Sequence, residues 1–288
     1  MNNKPEKWIL TASCPSMLGT VDVVTAFMAE SSLYIDEIHS FDDRAEERFF
    51  IRVEFHPELC SFDPDIFTSA FSQRAREFDM EWQLTAASHR PRVAIMVSKY
   101  DHCLNDLLYR HRTNQLKIDI PVIISNHPDL KPLADWHDIP YYHLPITPET
   151  KPEQEAELIK LLNQYDIELV VLARYMQVLS PELCDYLNGK AINIHHSLLP
   201  GFKGARPYHQ AWEKGVKMVG ATAHYVNNDL DEGPIIAQGI QTTDHTHFPE
   251  DLVAKGQDIE RVTLFNAVRY HIEKRVLLHG KKTVVFNN

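Results

Sequence analysis

Short apolar runs, separated by stretches of helical spacing, constrain the fold of this chain more than any other feature. The runs are VAIMVS (93–98), IPVIISN (120–126), IPYYHLPI (139–146), ELVVLARY (168–175) and AINIHH (191–196). Consecutive apolar residues predict strands that are covered on both faces, since half-exposed strands alternate. Amphipathic stretches such as 102–112 and 151–165 lie between the runs. Strands alternating with helices predict an open, mostly parallel, Rossmann-like α/β sheet.

The segment before these runs follows a different order of elements. Segments 7–13, 33–41, 47–56 and 79–85 have strand character, and segments 18–31 and 64–78 have helical spacing. The resulting βαββαβ order predicts a ferredoxin-like α+β domain. A polar, proline-containing segment at 86–92 is typical of a linker. We therefore predict one domain at 1–88 and a second at 89–288.

The last part of the chain predicts elements that extend the second domain. Residues 219–228 and 234–242 alternate on either side of DLDEG, which indicates a hairpin. A long helical pattern runs from about 249 to about 278, and 282–286 predicts a final strand.

Composition narrows the class of protein. The formal net charge of -11 argues against a nucleic-acid partner, because binding phosphates needs a basic face. No apolar run approaches the roughly 20 residues of a membrane helix, so we expect no membrane partner and a cytoplasmic location.

The cysteines form no CxxC pair and predict reduced thiols in place of disulfides or a zinc knuckle; they are Cys14, Cys60, Cys103 and Cys184.

Polar residues at the end of the AINIHH run suggest a reactive site. Asn193 and His195 are two residues apart and share one face of the predicted strand. A carboxamide N–H and an imidazole directed at one point can stabilise an oxyanion. Asp231, in the predicted hairpin turn, is a candidate base, although an aspartate there can also serve only to form the turn.

A metal-dependent hydrolase built on His195, His196 and His224 is an alternative for the same residues. Adjacent strand residues such as His195 and His196 point to opposite faces and would chelate one ion poorly. We therefore expect no metal and no other cofactor.

Three segments resemble the formyltransferase fold of folate enzymes, which is seen in glycinamide ribonucleotide transformylases. They are LARYMQVLS (172–180), NIHHSLLP (193–200) and GATAHYVNNDLDEGPIIAQ (220–238). The resemblance implies that Asn193, His195 and Asp231 carry out the chemistry. It also implies that the pteridine ring of a folate binds the backbone of Met176, Gln177, Val178 and Leu179. His224 is expected to orient Asp231, and His196 to face away and pack behind the site.

The first 85 or so residues resemble a regulatory ACT domain. Such a domain followed by a formyltransferase fold resembles the enzymes that hydrolyse 10-formyltetrahydrofolate to formate and tetrahydrofolate, with the formate supplying purine synthesis. The resemblance implies a folate substrate, an amino-acid effector at the turn 13–22 and a homo-oligomer. The turn reads CPSMLG, without the Asp and Arg of the related CPDRxG turns, so a domain that only drives oligomerisation stays open.

The acceptor of the formyl group is predicted from the segment VSKYDHCLNDLL (97–108). The related transformylases hold a phosphate-bearing acceptor there on a glycine-rich loop, whereas this segment contains no glycine and adds Asp101 and Asp106. Water is therefore the expected acceptor. A formyltransferase with an unidentified acceptor, and an amino-acid-sensing protein with an inactive second domain, are the remaining alternatives.

Overall fold

The computed structural model describes residues 5–58, 62–201 and 207–287, so Cys60 lies outside the described residues. The chain divides into two compact units. The first contains residues 1–89, 273–277 and 284–288, and the second contains residues 90–272 and 278–283. The C-terminal segments are thus shared between the two units, whereas the sequence assigns all of 89–288 to one predicted domain.

The first unit has the predicted βαββαβ order. Its elements are β1 (Trp8–Pro15), α1 (Thr20–Glu30), β2 (Leu33–Asp43), β3 (Arg48–Pro57), α2 (Pro64–Glu77) and β4 (Glu81–Ala86). The strands form one sheet in the order β2-β3-β1-β4, and the neighbours are antiparallel. This is the strand arrangement of a ferredoxin-like fold. Its assignment as an ACT domain stays a prediction.

Local sequence explains where the second helix of this unit begins and what it covers. The Asp63 carboxylate accepts hydrogen bonds from the backbone N–H groups of Asp65 and Ile66, and Pro64 occupies the first helical position. The helix then buries Phe67 and Phe71 in the core against the sheet.

The second unit contains the α/β sheet. Its elements are β5 (Arg92–Val97), α3 (His102–Arg112), β6 (Asp119–Ser125), α4 (Lys131–Trp136), β7 (Tyr141–His143), α5 (Lys151–Gln164), β8 (Leu169–Leu172), α6 (Pro181–Tyr186), β9 (Ala191–His195), α7 (Pro207–Glu213), β10 (Met218–Tyr225), β11 (Ile235–Thr242) and α8 (Pro249–Ile272). The strand order is β11-β10-β9-β8-β5-β6-β7.

The predicted, mostly parallel sheet is confirmed. Strands β5 to β9 are parallel, whereas β10 pairs antiparallel with β9 and β11. Residues 93–97 of β5 and all of β8 are buried, as expected for strands covered on both faces. The parallel arrangement brings the carboxyl ends of neighbouring strands to one edge of the sheet, where ligands bind in such folds.

The structure corrects the prediction at the end of the chain. The long helix ends at Ile272 and does not reach 278; residues 276–279 form β12 (Val276–His279), which pairs with β13 (Lys282–Val285). Lys274 has a left-handed backbone with φ of 55°, which stops the helix, and Gly280 has a φ of 58° in the turn between the two strands.

Two smaller elements also differ from the sequence prediction. Helix α7 is not among the helices that we predicted from the sequence. Strand β7 covers Tyr141–His143, which is shorter than the predicted strand because Pro140 and Pro145 flank it and cannot donate to a ladder.

None of the helices in the described part of the chain is long and apolar enough to span a bilayer.

Candidate active site

A cavity of about 350 Å³ lies at the carboxyl ends of β8 and β9, within the second unit. Its lining includes every residue that the sequence analysis assigned to the site: Asn193, His195, Asp231, Met176, Gln177, Val178, Leu179, His196 and His224. The volume lies within the range of cavities that bind small molecules. The structure thus brings the predicted residues together in one place.

Strand β9 positions the first two of these side chains. Its register with antiparallel β10 sets His195 opposite Thr222 and Asn193 opposite His224. Its other edge is paired with β8, whose carboxyl end leads into the segment 176–179. The strand therefore lies between the two elements that supply the rest of the lining.

A tight turn after β10 positions Asp231. This residue has a left-handed backbone with φ of 57°, a conformation that aspartate tolerates better than most residues. A Cβ on the following Gly233 would lie 1.7 Å from the carbonyl oxygen of Tyr225, so only glycine fits there. The turn brings Oδ2 of Asp231 to 3.2 Å from Nδ1 of His195.

The imidazole of His195 has a partner at each ring nitrogen. Nδ1 contacts the Asp231 carboxylate, and Nε2 lies 2.9 Å from the hydroxyl of Ser197. That hydroxyl also donates to the carbonyl oxygen of Gly201 at 2.9 Å. His195 is 5% exposed, so the ring is fixed in orientation and shielded from bulk water.

His224 contacts Asn193, a partner that we did not predict, as well as approaching Asp231. Its Nδ1 lies 2.8 Å from the carbonyl oxygen of Tyr225 and must donate to it. In the neutral ring Nε2 is then an acceptor, and it lies 3.2 Å from Nδ2 of Asn193 but 3.8 Å from Oδ1 of Asp231. His224 therefore orients the amide of Asn193, and its predicted role in orienting Asp231 stays a prediction.

His196 does not face away from the cavity as predicted, because β9 ends at His195 and strand alternation no longer applies. Its ring packs edge-on against His195 with centroids 5.0 Å apart. Burial, followed by the nearby charges of Arg174 and His195, lowers the pKa of His196 to about 4. The ring is therefore neutral at physiological pH.

Electrostatics keep Asp231 ionised. Burial alone would raise the pKa of its carboxyl group, but the hydrogen bond and charge of His195 outweigh burial, and the pKa is lowered. Burial lowers the pKa of His224, so this ring stays neutral next to Asn193. The arrangement combines a carboxylate that can accept a proton with an amide and an imidazole that can donate hydrogen bonds.

The segment 176–179 is anchored at both ends by side chains that the sequence analysis missed. The backbone N–H of Met176 donates to Oγ of Ser98 at 3.0 Å, and Ser98 donates to Oδ1 of Asn126 at 2.7 Å. At the other end, the N–H of Ser180 donates to Oε1 of Glu155 at 2.9 Å. Between the anchors the segment belongs to no helix or strand, so its backbone can meet a ligand.

A buried group of charged side chains adjoins the cavity and was also missed. Arg174 follows β8 with a φ of 65°, is 8% exposed and lines the cavity. Its Nε lies 3.4 Å from Oε2 of Glu260 on α8. Glu260 also accepts hydrogen bonds from His102 and from Tyr208, each at 2.8 Å. Burial would raise the pKa of Glu260, but these partners together lower it, so the carboxylate is charged.

Among the described residues, one group could hold a metal ion, and it is not part of the cavity lining. His102, Cys103 and Glu260 offer ligand atoms within 4.8 Å of one another. Both Glu260 oxygens already accept hydrogen bonds, and burial raises the pKa of the Cys103 thiol well above its ordinary value. A protonated thiol is a poor metal ligand.

The fold and the cavity together define the class of protein. Residues 91–268 match the family described as Formyl transferase, so the second unit is an α/β fold of the formyltransferase type. A glycinamide ribonucleotide transformylase from Symbiobacterium toebii superposes with a TM-score of 0.65 at 28% identity, covering 71% of this chain and 98% of its own.

Two other relatives match along nearly the full length. A formyltetrahydrofolate deformylase from Corynebacterium sp. (strain P-1) is 52% identical over 96% of this chain and 97% of its own. The crystal structure of a formyltetrahydrofolate deformylase from Pseudomonas putida KT2440 superposes with a TM-score of 0.93 at 63% identity, covering 97% of this chain and all of its own. This chain belongs to the formyltetrahydrofolate deformylase family.

Proposed function

We propose that this protein hydrolyses 10-formyltetrahydrofolate to formate and tetrahydrofolate. The observation that carries the proposal is the contact of the Asp231 carboxylate with the His195 imidazole, at 3.2 Å, in a cavity that Asn193 also lines. The names of the full-length relatives support the same reaction. No metal or other cofactor takes part in the proposed reaction.

In the proposed mechanism, the pteridine ring lies along the backbone of 176–179 and the N10-formyl group reaches Asn193, His195 and Asp231. Asp231 accepts a proton from a water molecule as the water oxygen bonds to the formyl carbon. The amide N–H of Asn193 that is not directed at His224, together with the adjacent His195 ring, stabilises the oxyanion that forms. The carbon–N10 bond then breaks as N10 receives the proton held by Asp231. The formic acid that forms gives its remaining proton to solvent, and formate and the amine leave.

Water is the proposed acceptor because the loop before α3 is poorly suited to an anionic acceptor. The Asp101 carboxylate lies at the start of this helix and accepts a hydrogen bond from Nδ2 of Asn105 at 2.9 Å. A negative charge at that position opposes a second one, whereas phosphates bind helix starts with free N–H groups.

For the first unit we propose an ACT-like role in oligomerisation, with an amino-acid effector at the turn that precedes α1. Its ferredoxin-like strand order and the left-handed Gly19 at the start of α1 support this proposal. We further propose a homo-oligomer in the cytoplasm, with no nucleic-acid or membrane partner, whose formate supplies purine synthesis.

The decisive experiment measures formate released from 10-formyltetrahydrofolate by the full chain, with a chelator and no amine acceptor. We expect release by the wild type and a loss of about 100-fold or more in Asp231→Asn. Asp138→Asn is a matched control, because Asp138 is exposed, shares the left-handed backbone with a φ of 55° and lies outside the cavity.

Two outcomes would contradict the proposal. Wild-type protein that releases formate only with an added amine would be a transferase. Release that a chelator abolishes and zinc restores would require a metal site that the proposed mechanism does not contain.

A further inference from the structure

We propose that Arg174, which lines the cavity, forms a binding subsite for a small carboxylate, and that formate leaving the reaction occupies it. This inference rests on the proposed function, and it adds a site for one product. Arg174 combines a left-handed backbone with burial of its charge, and both are unfavourable for an arginine.

The conformation of Arg174 is unusual for its residue type. A φ of 65° in a long side chain is disfavoured, because Cβ approaches the carbonyl oxygen. The residue is 8% exposed, and burying a guanidinium is costly without partners. Backbone strain of this kind concentrates at functional sites, so the strain at Arg174 indicates a role in binding or catalysis.

The partners of Arg174 leave part of its guanidinium unused. Nε lies 3.4 Å from the Glu260 carboxylate without a hydrogen bond, and the guanidinium carbon lies 5.0 Å from the centre of the Tyr100 ring. Within residues 5–58, 62–201 and 207–287, no hydrogen bond involves its two terminal nitrogens. Glu260 meanwhile is shared with His102 and Tyr208.

The charge of the cavity explains why the subsite would take an anion. Arg174 is the sole arginine or lysine among the described residues that line it, and the neighbouring His196 is neutral. Hydrolysis converts a neutral formamide into an anion beside the Asp231 carboxylate, which repels it. A cation that lines the same cavity can receive that anion.

The shape of the ligand follows from the guanidinium. Its planar fork matches the two oxygens of a carboxylate and donates two parallel hydrogen bonds. Formate is the smallest carboxylate and takes up the least of the cavity volume of about 350 Å³. The predicted ligand is therefore a one- or two-carbon carboxylate.

The test measures binding of ¹³C-formate to the full chain by NMR titration without folate, and formate as a product inhibitor. We compare wild type with Arg174→Asn/Glu260→Gln, in which asparagine tolerates the left-handed backbone and the buried charge stays balanced. Glu260→Gln alone is the matched control. We expect formate binding to weaken at least about tenfold in the double variant and to strengthen in the control, whose Arg174 lacks its counterion.

Equal formate binding by wild type and the double variant would overturn the subsite, and so would the absence of saturable binding by wild type. Thermal unfolding of each variant establishes that it is folded. Formate binding through Arg174 in a protein that does not hydrolyse 10-formyltetrahydrofolate would overturn the proposed function alone. Hydrolysis without formate binding would overturn the subsite alone.

Discussion

The donors and acceptors around His195 and Asn193 are ordered by their neighbours before any ligand arrives. The ring of His195 is held by Asp231 and Ser197, and the amide of Asn193 is held by His224. Preorganised groups of this kind stabilise developing charge without reorganising during the reaction. At the scale of single residues, the site therefore depends on groups that need not touch the substrate.

A first prediction concerns His224. Replacing it by leucine removes the acceptor that orients Asn193, so we expect kcat to fall about tenfold with little change in KM. His224→Gln restores an acceptor and should recover most of the loss. Steady-state kinetics of both variants provides the measurement, and equal losses in the two would indicate that His224 contributes only packing.

Asn193, His195 and Asp231 were predictable because they occur in segments with a recognisable order. Arg174 and Glu260 were not, since they are 86 positions apart in the sequence and meet only through the packing of α8. The contact of His224 with Asn193 was not predicted, because it depends on the antiparallel register between β9 and β10, which sets the two residues opposite each other.

At the scale of elements, the segment 176–179 is a piece of irregular backbone fixed by its neighbours. Ser98, at the end of β5, and Glu155, on α5, anchor its two ends. Irregular backbone offers N–H and C=O groups that helices and strands use internally. Anchoring at both ends keeps those groups in place for a ligand.

A second prediction follows for Ser98. Ser98→Ala removes the hydrogen bond to Met176, worth about 1 kcal/mol, so we expect KM for the folate to rise roughly fivefold while kcat changes little. Ser125→Ala is the matched control, because Ser125 is buried at the end of β6 and its hydroxyl contacts His127 instead. A loss confined to kcat in the Ser98 variant would contradict an anchoring role.

Elements with clear periodicity were predicted within a few residues, as for α3 and α5. The ends of the long helix and of β7 were not predicted. The helix stops before the left-handed Lys274, and β7 is shortened by the two prolines that flank it, although the apolar pattern continues beyond both ends. Helix α7 is short and follows a proline- and glycine-broken stretch, so its sequence resembles a loop.

For the whole molecule, features set by local sequence were predicted, and features set by contacts between distant residues were not. Alternating strands and helices predict the parallel sheet of the second unit, since that pattern is set by local burial. The sharing of the C-terminal segments between the two units is not predictable, because it depends on packing of residues far apart in sequence.

A third prediction concerns the dependence of folding stability on pH. The pKa of His196 is about 4 in the folded protein against about 6.5 when unfolded, so the unfolded state binds more protons between these values. The contribution of this group to the free energy of unfolding is present above pH 6.5 and is lost as the pH falls towards 4. Between pH 7 and pH 5 we expect a loss of up to about 2 kcal/mol.

Denaturant unfolding at pH 7 and pH 5 measures this loss. His196→Asn should reduce the difference between the two pH values, whereas His245→Asn, which replaces an exposed histidine, should leave it unchanged. An unchanged difference in the His196 variant would show that this ring does not take up its proton on unfolding.

All the described residues that line the cavity lie between Leu172 and Asp231, on one continuous stretch of the chain. A ligand in the cavity therefore stabilises the folded conformation of that stretch directly. It stabilises β5, β6 and β7 only through their packing against the stretch. Local opening of the stretch would release the ligand and expose its amides to hydrogen exchange while the other strands stay folded. Occupancy of the cavity and persistence of this local structure are thus two measures of one equilibrium.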